Sequence, residues 1–108
     1  MAFIPYHNIT GSSGVTSTLV NPTDSVDLIG SVNVSNIHDT ATATVSIFIQ
    51  TTPTSGSASV YYIVKNVSVP AGVSFLLDKP IILTQGSTNY GLYITVGSSD
   101  TVDVIIRR

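Results

Sequence analysis

The chain has 108 residues, a formal net charge of −2 and no cysteine, and only 9% of its residues are charged. This length fits one domain, and 43% apolar residues with so little net charge exclude an intrinsically disordered chain. Four Lys and Arg residues are too few for the basic stripe of a nucleic-acid-binding protein, and the lack of cysteine excludes disulfide scaffolds, thiolate metal sites and thiol catalysis.

The composition and the spacing of apolar residues both indicate β-strands. Val, Ile and Thr contribute 14, 12 and 14 residues, and their branched side chains favour strands over helices. Apolar and polar residues alternate with a period of two, as in half-buried antiparallel strands. In chain order, the pattern predicts an edge strand or arm over 3–9, a weaker strand over 15–20, and strands over 26–35, 44–50, 60–64, 73–77, 81–83, 90–96 and 101–107.

Turn-forming residues separate these runs, and Val69-Pro70-Ala71-Gly72 predicts a type I turn in which Pro presets φ at the second position. Seven to nine short strands punctuated in this way indicate an all-β fold. We predict a single antiparallel β-sandwich over residues 1–108, either a jelly roll or an Ig-like Greek key. Residues 1–12 are expected to belong to this domain or to extend from it as an N-terminal arm.

The alternation also predicts which side chains face the core. In the run over 26–35, Val26, Leu28, Val32 and Val34 form the apolar face, and Ile29 is the exception. Further along the chain, Tyr62 and Tyr90 fall on the apolar phase, whereas Tyr61 and Tyr93 fall on the outward phase. That outward phase also contains Ile63, Leu76 and Ile105, which together predict an apolar patch that a monomer would rarely leave exposed.

The ionisable residues do not form a catalytic or metal-binding pattern. His38 and Asp39 are adjacent in a predicted turn, which is typical of a structural role, and His7 has no neighbouring ligand in the sequence. No nucleophile motif, calcium loop or phosphate-binding glycine loop is present. We expect no enzymatic activity, no cofactor and no metal. The apolar runs are also too short for a membrane helix, and residues 1–6 lack the pattern of a secretory signal.

The low charge predicts a protein that functions within an assembly, because the surfaces of soluble monomers are normally about a quarter to a third charged. We expect a homo-oligomer or a complex with other structural subunits. The predicted contact regions are the N-terminal segment with Phe3, Ile4 and Tyr6, and the loop over 51–59 with Thr54 and Ser55. The outward-facing Tyr61 and Tyr93 are predicted contacts as well.

The order of these elements resembles that of small virion proteins of tailed bacteriophages. The resemblance covers roughly residues 26–107 and rests on Val32-Asn33-Val34-Ser35-Asn36, the strand from Val60 with its Val69-Pro70-Ala71-Gly72 turn, Leu83-Thr84-Gln85-Gly86-Ser87-Thr88, and the closing strand Thr101–Arg107. Gly86-Ser87 departs from the Gly-Asp expected at that turn. Proteins of this group are similar to capsid decoration (cement) proteins and to small tail, neck or fibre-associated β-sandwich subunits.

The resemblance implies a structural role in the virion, with assembly in the host cytoplasm and the major capsid protein or other virion subunits as partners. It gives no catalytic residues. Capsid decoration is the leading expectation, and a tail, neck or fibre-associated subunit is the first alternative. A carbohydrate-binding or host-adhesion module is the second alternative, for which exposed Tyr61 or Tyr93 rings would form the sugar platform.

Overall fold

The computed structural model describes residues 5–11, 16–21, 26, 28–51, 60–85, 88–97 and 100–107, and these residues form an all-β structure. Eight strands have four or more residues, in agreement with the seven to nine that the sequence predicts. They are β1 (Tyr6–Thr10), β2 (Thr16–Val20), β4 (Ser31–Asn36), β5 (Ala43–Thr51), β6 (Val60–Val69), β7 (Ser74–Leu77), β10 (Thr88–Val96) and β11 (Thr101–Arg107). The remaining described strands, β3 (Leu28–Ile29), β8 (Ile81–Ile82) and β9 (Thr84–Gln85), have two residues each.

The longer strands form two four-stranded sheets. Sheet I has the order β1-β11-β4-β7 and sheet II the order β2-β10-β5-β6, while β9 pairs antiparallel with β10 and β3 pairs antiparallel with β8. Among the longer strands, β1 pairs with β11, β2 with β10, β4 with β7 and β5 with β6, all antiparallel. The eight strands are thus paired from the outermost two of the series to the innermost two. This is the order of one long hairpin wrapped into a double sheet, which defines a jelly roll.

The core lies between the inward faces of the two sheets and consists of aliphatic side chains. Alternate residues of the central strands are fully buried, as the period of two predicts. In sheet I they are Val32, Val34, Val102 and Val104, and in sheet II Val45, Ile47, Leu92 and Ile94. The predicted sandwich is therefore confirmed, with its core in the predicted alternation along β4, β5, β10 and β11.

The run over 26–35, predicted as one strand, is divided at Gly30 into β3 and β4. The Gly30 backbone N–H donates to the Arg107 carbonyl at 2.7 Å, and β3 then pairs with β8 instead of joining sheet I. Because the break changes the phase, Ile29 is fully buried and Leu28 is exposed. The prediction that Leu28 faces the core is wrong, and Ile29 is part of the core.

The turn between β6 and β7 differs from the prediction by one residue. The Val73 N–H donates to the Pro70 carbonyl at 3.1 Å, and Gly72 has a φ of 73°. A positive φ at the third position is the mark of a type II turn, so the turn spans Pro70–Val73. Gly72 occupies the position that requires a positive φ, and the predicted type I turn is wrong.

Asn36 connects this turn to the end of β4. Its side chain is almost fully buried, and its Nδ2 donates to the carbonyls of Val69 at 2.9 Å and Ala41 at 2.8 Å. Its Oδ1 accepts a hydrogen bond from the His38 N–H at 3.0 Å. One buried amide thus satisfies three backbone groups from separate segments, which stabilises this end of the sandwich.

Candidate functional site

The outer face of sheet I contains a row of side chains that crosses all four strands and is apolar on β1, β11 and β7. Tyr6 on β1 is opposite Ile105 on β11, Ile105 is opposite Asn33 on β4, and Asn33 is opposite Leu76 on β7. Tyr6, Leu76 and Ile105 are 70%, 57% and 47% exposed. We call Tyr6, Ile105 and Leu76 the apolar row. Exposure of three large apolar side chains in register is typical of a surface that contacts another molecule.

Polar side chains lie beside the apolar row, one step further along the strands. Asn8 Nδ2 donates to Asp103 Oδ1 at 2.7 Å, and the hydroxyls of Ser35 and Ser74 are 2.8 Å apart in a second hydrogen bond. These bonds join neighbouring strands, and the bond from Asn8 uses only part of the accepting capacity of the Asp103 carboxylate, which can still pair with a cation of a partner. The row therefore has the arrangement of an interface anchor with a polar border.

The outer face of sheet II contains an aromatic cluster. Phe48 on β5 lies between Tyr93 of β10 and Tyr62 of β6, with ring centroids 5.8 Å and 5.1 Å away. The Phe48 and Tyr93 rings are stacked at 18°, whereas Tyr62 is tilted by 44°. We call Phe48, Tyr62 and Tyr93 the aromatic surface. Such pairs add stabilisation beyond the apolar area that they bury.

The members of the aromatic surface differ in their access to solvent. Phe48 is covered by its two neighbours, and Tyr62 is half exposed, with Lys65 Nζ 4.9 Å from the centre of its ring. Burial raises the pKa of the Tyr93 phenol above 10.0, because an ionised phenolate would lose hydration there. Tyr62 and the Lys65 ammonium are therefore the parts that a partner would contact first.

The pairing of β6 with β5 has two irregularities, and the one between Val64 and Tyr62 explains why Tyr62 faces outward although Val64 faces the core. The pairing with β5 shifts between Ile47 and Phe48 and again between Val45 and Ile47, so β6 has an extra residue at each point. At the second point Asn66 has a φ of 54°, and its N–H donates to the Ser46 hydroxyl at 2.8 Å. A bulge reverses which side chains face the core. The prediction that Tyr62 belongs to the core is wrong, whereas Tyr90 is buried as predicted.

The structure separates the two tyrosines that the sequence predicts as one outward pair. Tyr93 belongs to the aromatic surface, but Tyr61 has the opposite phase, is 58% exposed and packs against Tyr90 with ring centroids 6.0 Å apart. Tyr6 lies in the apolar row, and β1 is an edge strand of sheet I. Leu76 and Ile105 are exposed as expected, and Ile63 is half-buried. The predicted contacts Phe3, Ile4, Thr54 and Ser55 lie outside the described residues.

The described part of the chain contains no group of three or more His, Cys, Asp or Glu side chains placed to hold a metal ion. His38 Nδ1 accepts hydrogen bonds from the backbone N–H groups of Ala41 at 3.1 Å and Thr40 at 3.2 Å, which places this imidazole in a structural turn. Over the same described ranges, no helix has the length and apolar character needed to cross a membrane.

The geometry thus defines an exposed apolar row and a partly exposed aromatic surface on opposite sides of a jelly roll, both suited to contacts with macromolecules. Comparisons of the chain with protein-family models, with curated proteins and with solved structures give no match.

Proposed function

We propose that this chain is a structural subunit of a tailed-phage virion, and that it acts as a decoration protein on the outside of the capsid. The observation that supports this most strongly is the presence of the apolar row and the aromatic surface on opposite faces of one sandwich. A protein that clamps neighbouring subunits has to contact at least two of them. Two separate apolar surfaces meet that requirement.

The composition of the surface supports the same proposal. With 9% charged residues and 15 Ser and 14 Thr, the exterior consists largely of short hydroxyl side chains. These side chains have little rotamer entropy to lose, so they can pack closely against a neighbour at small cost. The jelly roll also occurs in viral capsid and lectin domains, which is an analogy at the level of the fold and not of the site.

The mechanism of cementing would be additive contact area at the junctions between capsid subunits. Full burial of one large apolar side chain stabilises a contact by about 1.5–3 kcal/mol, and the residues of the apolar row are already partly covered. A single copy would therefore bind with modest affinity through a few apolar anchors inside a polar border. Many copies bound to one shell would together make the shell harder to disassemble.

The test uses capsids of the encoding phage from which the gene for this chain has been deleted. We expect the purified protein to bind these capsids until its copy number is comparable to that of the major capsid protein. Leu76→Lys and Tyr62→Lys, each on one of the two surfaces, should weaken binding. Lys79→Glu, an exposed substitution outside both surfaces, should leave it unchanged.

The other outcomes of this test separate the alternatives. Occupancy restricted to a few copies at the tail or neck would replace the decoration role with that of a tail subunit. Binding to glycans without binding to capsids would overturn the proposal in favour of an adhesion module.

A further inference from the structure

The outer face of sheet I combines the apolar row with one negative and one positive side chain in line. Along β11, Asp103 and Arg107 are each two residues from Ile105, so alternation places all three side chains on the same face. Among the outward-facing residues of the described strands of this sheet, the charged ones are Asp103 and Arg107. The face therefore presents a negative, an apolar and a positive position in that order.

We propose that a second copy of this chain packs on this face, with a two-fold axis parallel to the apolar row. Such an axis places Ile105 against Ile105 of the partner subunit and reverses the direction of β11. Asp103 then faces Arg107 of the partner subunit, and by symmetry the same pair forms a second time. An isologous contact of this kind makes every favourable pair twice.

The charges select this arrangement over the other face-to-face packing. With the axis parallel to the strands, Asp103 would face its own copy and Arg107 would do the same, which places like charges together. Rotation about the apolar row gives two attractive pairs and keeps the apolar side chains in contact. The order of charges along β11 is therefore self-complementary in one orientation only.

The size of the face determines how strong the dimer is. Four strands span about 19 Å, and the distance from Asp103 to Arg107 along β11 is about 14 Å, because strands are about 4.8 Å apart and rise about 3.4 Å per residue. A face of about 19 Å by 14 Å has a smaller area than a standard interface, which buries about 800 Å² per partner. We expect a dissociation constant in the micromolar range or weaker.

A weak dimer becomes populated where many copies are held close together, as on the surface of a shell. With the second copy on sheet I, the aromatic surface of each copy is left for the capsid, so the dimer as a whole contacts two capsid subunits and Leu76→Lys weakens capsid binding by weakening the dimer. In naming the partner of one of the two surfaces, the inference rests on the proposed function. It is nevertheless tested with the isolated protein. Failure to bind capsids would overturn the proposed function and leave the dimer in place, whereas a monomer that binds capsids would overturn the dimer alone.

The decisive experiment exchanges the two charges. Sedimentation velocity of the full chain from micromolar to millimolar concentration should show a monomer–dimer equilibrium that weakens as salt is added. Asp103→Arg or Arg107→Asp alone places like charges opposite each other twice and should weaken the dimer about tenfold or more. The double variant, Asp103→Arg with Arg107→Asp, restores opposite charges and should recover the dimer to within a few-fold.

Lys65→Glu on sheet II is the matched control and should leave the equilibrium unchanged. Circular dichroism verifies that each variant is folded. A protein that stays monomeric at all concentrations would overturn the inference, and so would a double variant as weak as the single ones.

Cross-linking gives an independent readout, because the chain has no cysteine of its own. Ile105→Cys should give a covalent dimer with a short bis-maleimide reagent, since the axis brings the two copies of this position together. Lys65→Cys, which is exposed on the opposite sheet, should not. Equal yields from the two variants, or no product from Ile105→Cys, would contradict the proposed axis.

Discussion

Replacing Asn36 with alanine tests how much one buried amide contributes to the fold. The side chain is 2% exposed, and it makes three hydrogen bonds with backbone groups, two in the connection that follows β4 and one, at Val69, 33 residues away in the chain. Alanine removes all three hydrogen bonds, and the buried Val69 carbonyl then loses the donor that Asn36 provides. The His38 N–H and the Ala41 carbonyl are nearer the surface, where water can replace the lost partner.

The expected magnitude follows from these three bonds. An average hydrogen bond contributes about 0.5–1.5 kcal/mol, and a buried group left unsatisfied costs about 1–3 kcal/mol. For Asn36→Ala we therefore expect a loss of about 3 kcal/mol in the free energy of unfolding. In a domain of about 100 residues each kcal/mol lowers the melting temperature by about 4 °C or more, so the Tm should fall by at least about 12 °C.

Urea unfolding followed by far-UV circular dichroism measures this free energy directly. The control is Asn33→Ala, which removes one hydrogen bond of 3.3 Å to Ser35 on the outer face and should cost less than about 1 kcal/mol. The reasoning would be refuted if the two variants unfolded at the same urea concentration. Asn36→Asp should be at least as destabilising as alanine, because a carboxylate would face two carbonyl oxygens.

Three further predictions concern close packing, the aromatic surface and alkaline pH. Gly11→Ala should lower the free energy of unfolding by about 2 kcal/mol or more, because a Cβ there would collide with the carbonyl oxygen of Gly97. A Cβ at Gly72 would meet open space, so Gly72→Ala should lose only about 1–2 kcal/mol, which is the cost of a positive φ. The urea midpoints of the two variants test this order. Phe48→Ala should lower the free energy of unfolding by about 3 kcal/mol, and a loss below about 1 kcal/mol would show that the ring is not packed as described. Because burial raises the Tyr93 pKa, the folded state keeps a proton that the unfolded chain loses near pH 10. The contribution of this phenol to the free energy of unfolding should therefore be constant below that pH and fall above it. Tyr93→Phe should remove part of that decline in urea titrations between pH 8 and 11.

The sequence was sufficient to predict the strands and most of the core. The period of two along Val102, Val104 and Ile106 leaves one choice of inward face, because a shift by one residue would expose the whole set. The order of the strands could not be predicted, since the jelly-roll and Ig-like arrangements use the same local pattern. The nested long-range pairings of β1 with β11, β2 with β10 and β4 with β7 distinguish them.

The aromatic surface was predicted only in part, because the facing of Tyr62 depends on how two strands pair. The phase of Tyr62 depends on a bulge, and a bulge is defined by the pairing of two strands and not by one. Asn66 offered a signal only for the other irregularity of this strand, because Asn tolerates a positive φ better than most residues and is unusual within a strand. Gly30 offered a similar signal for the break between β3 and β4.

The pairing of β1 with β11 also determines when the sandwich can form during synthesis. Asn8 and Asp103, which are joined by a hydrogen bond, are 95 residues apart, so β1 waits during synthesis for a partner strand that is made 95 residues later. Such distant pairings are slow to close, on the order of milliseconds to seconds. On the ribosome, sheet I must therefore be completed after Thr101–Arg107 has left the exit tunnel. Until then, β4 lacks the partner strand with which it pairs in the folded sheet.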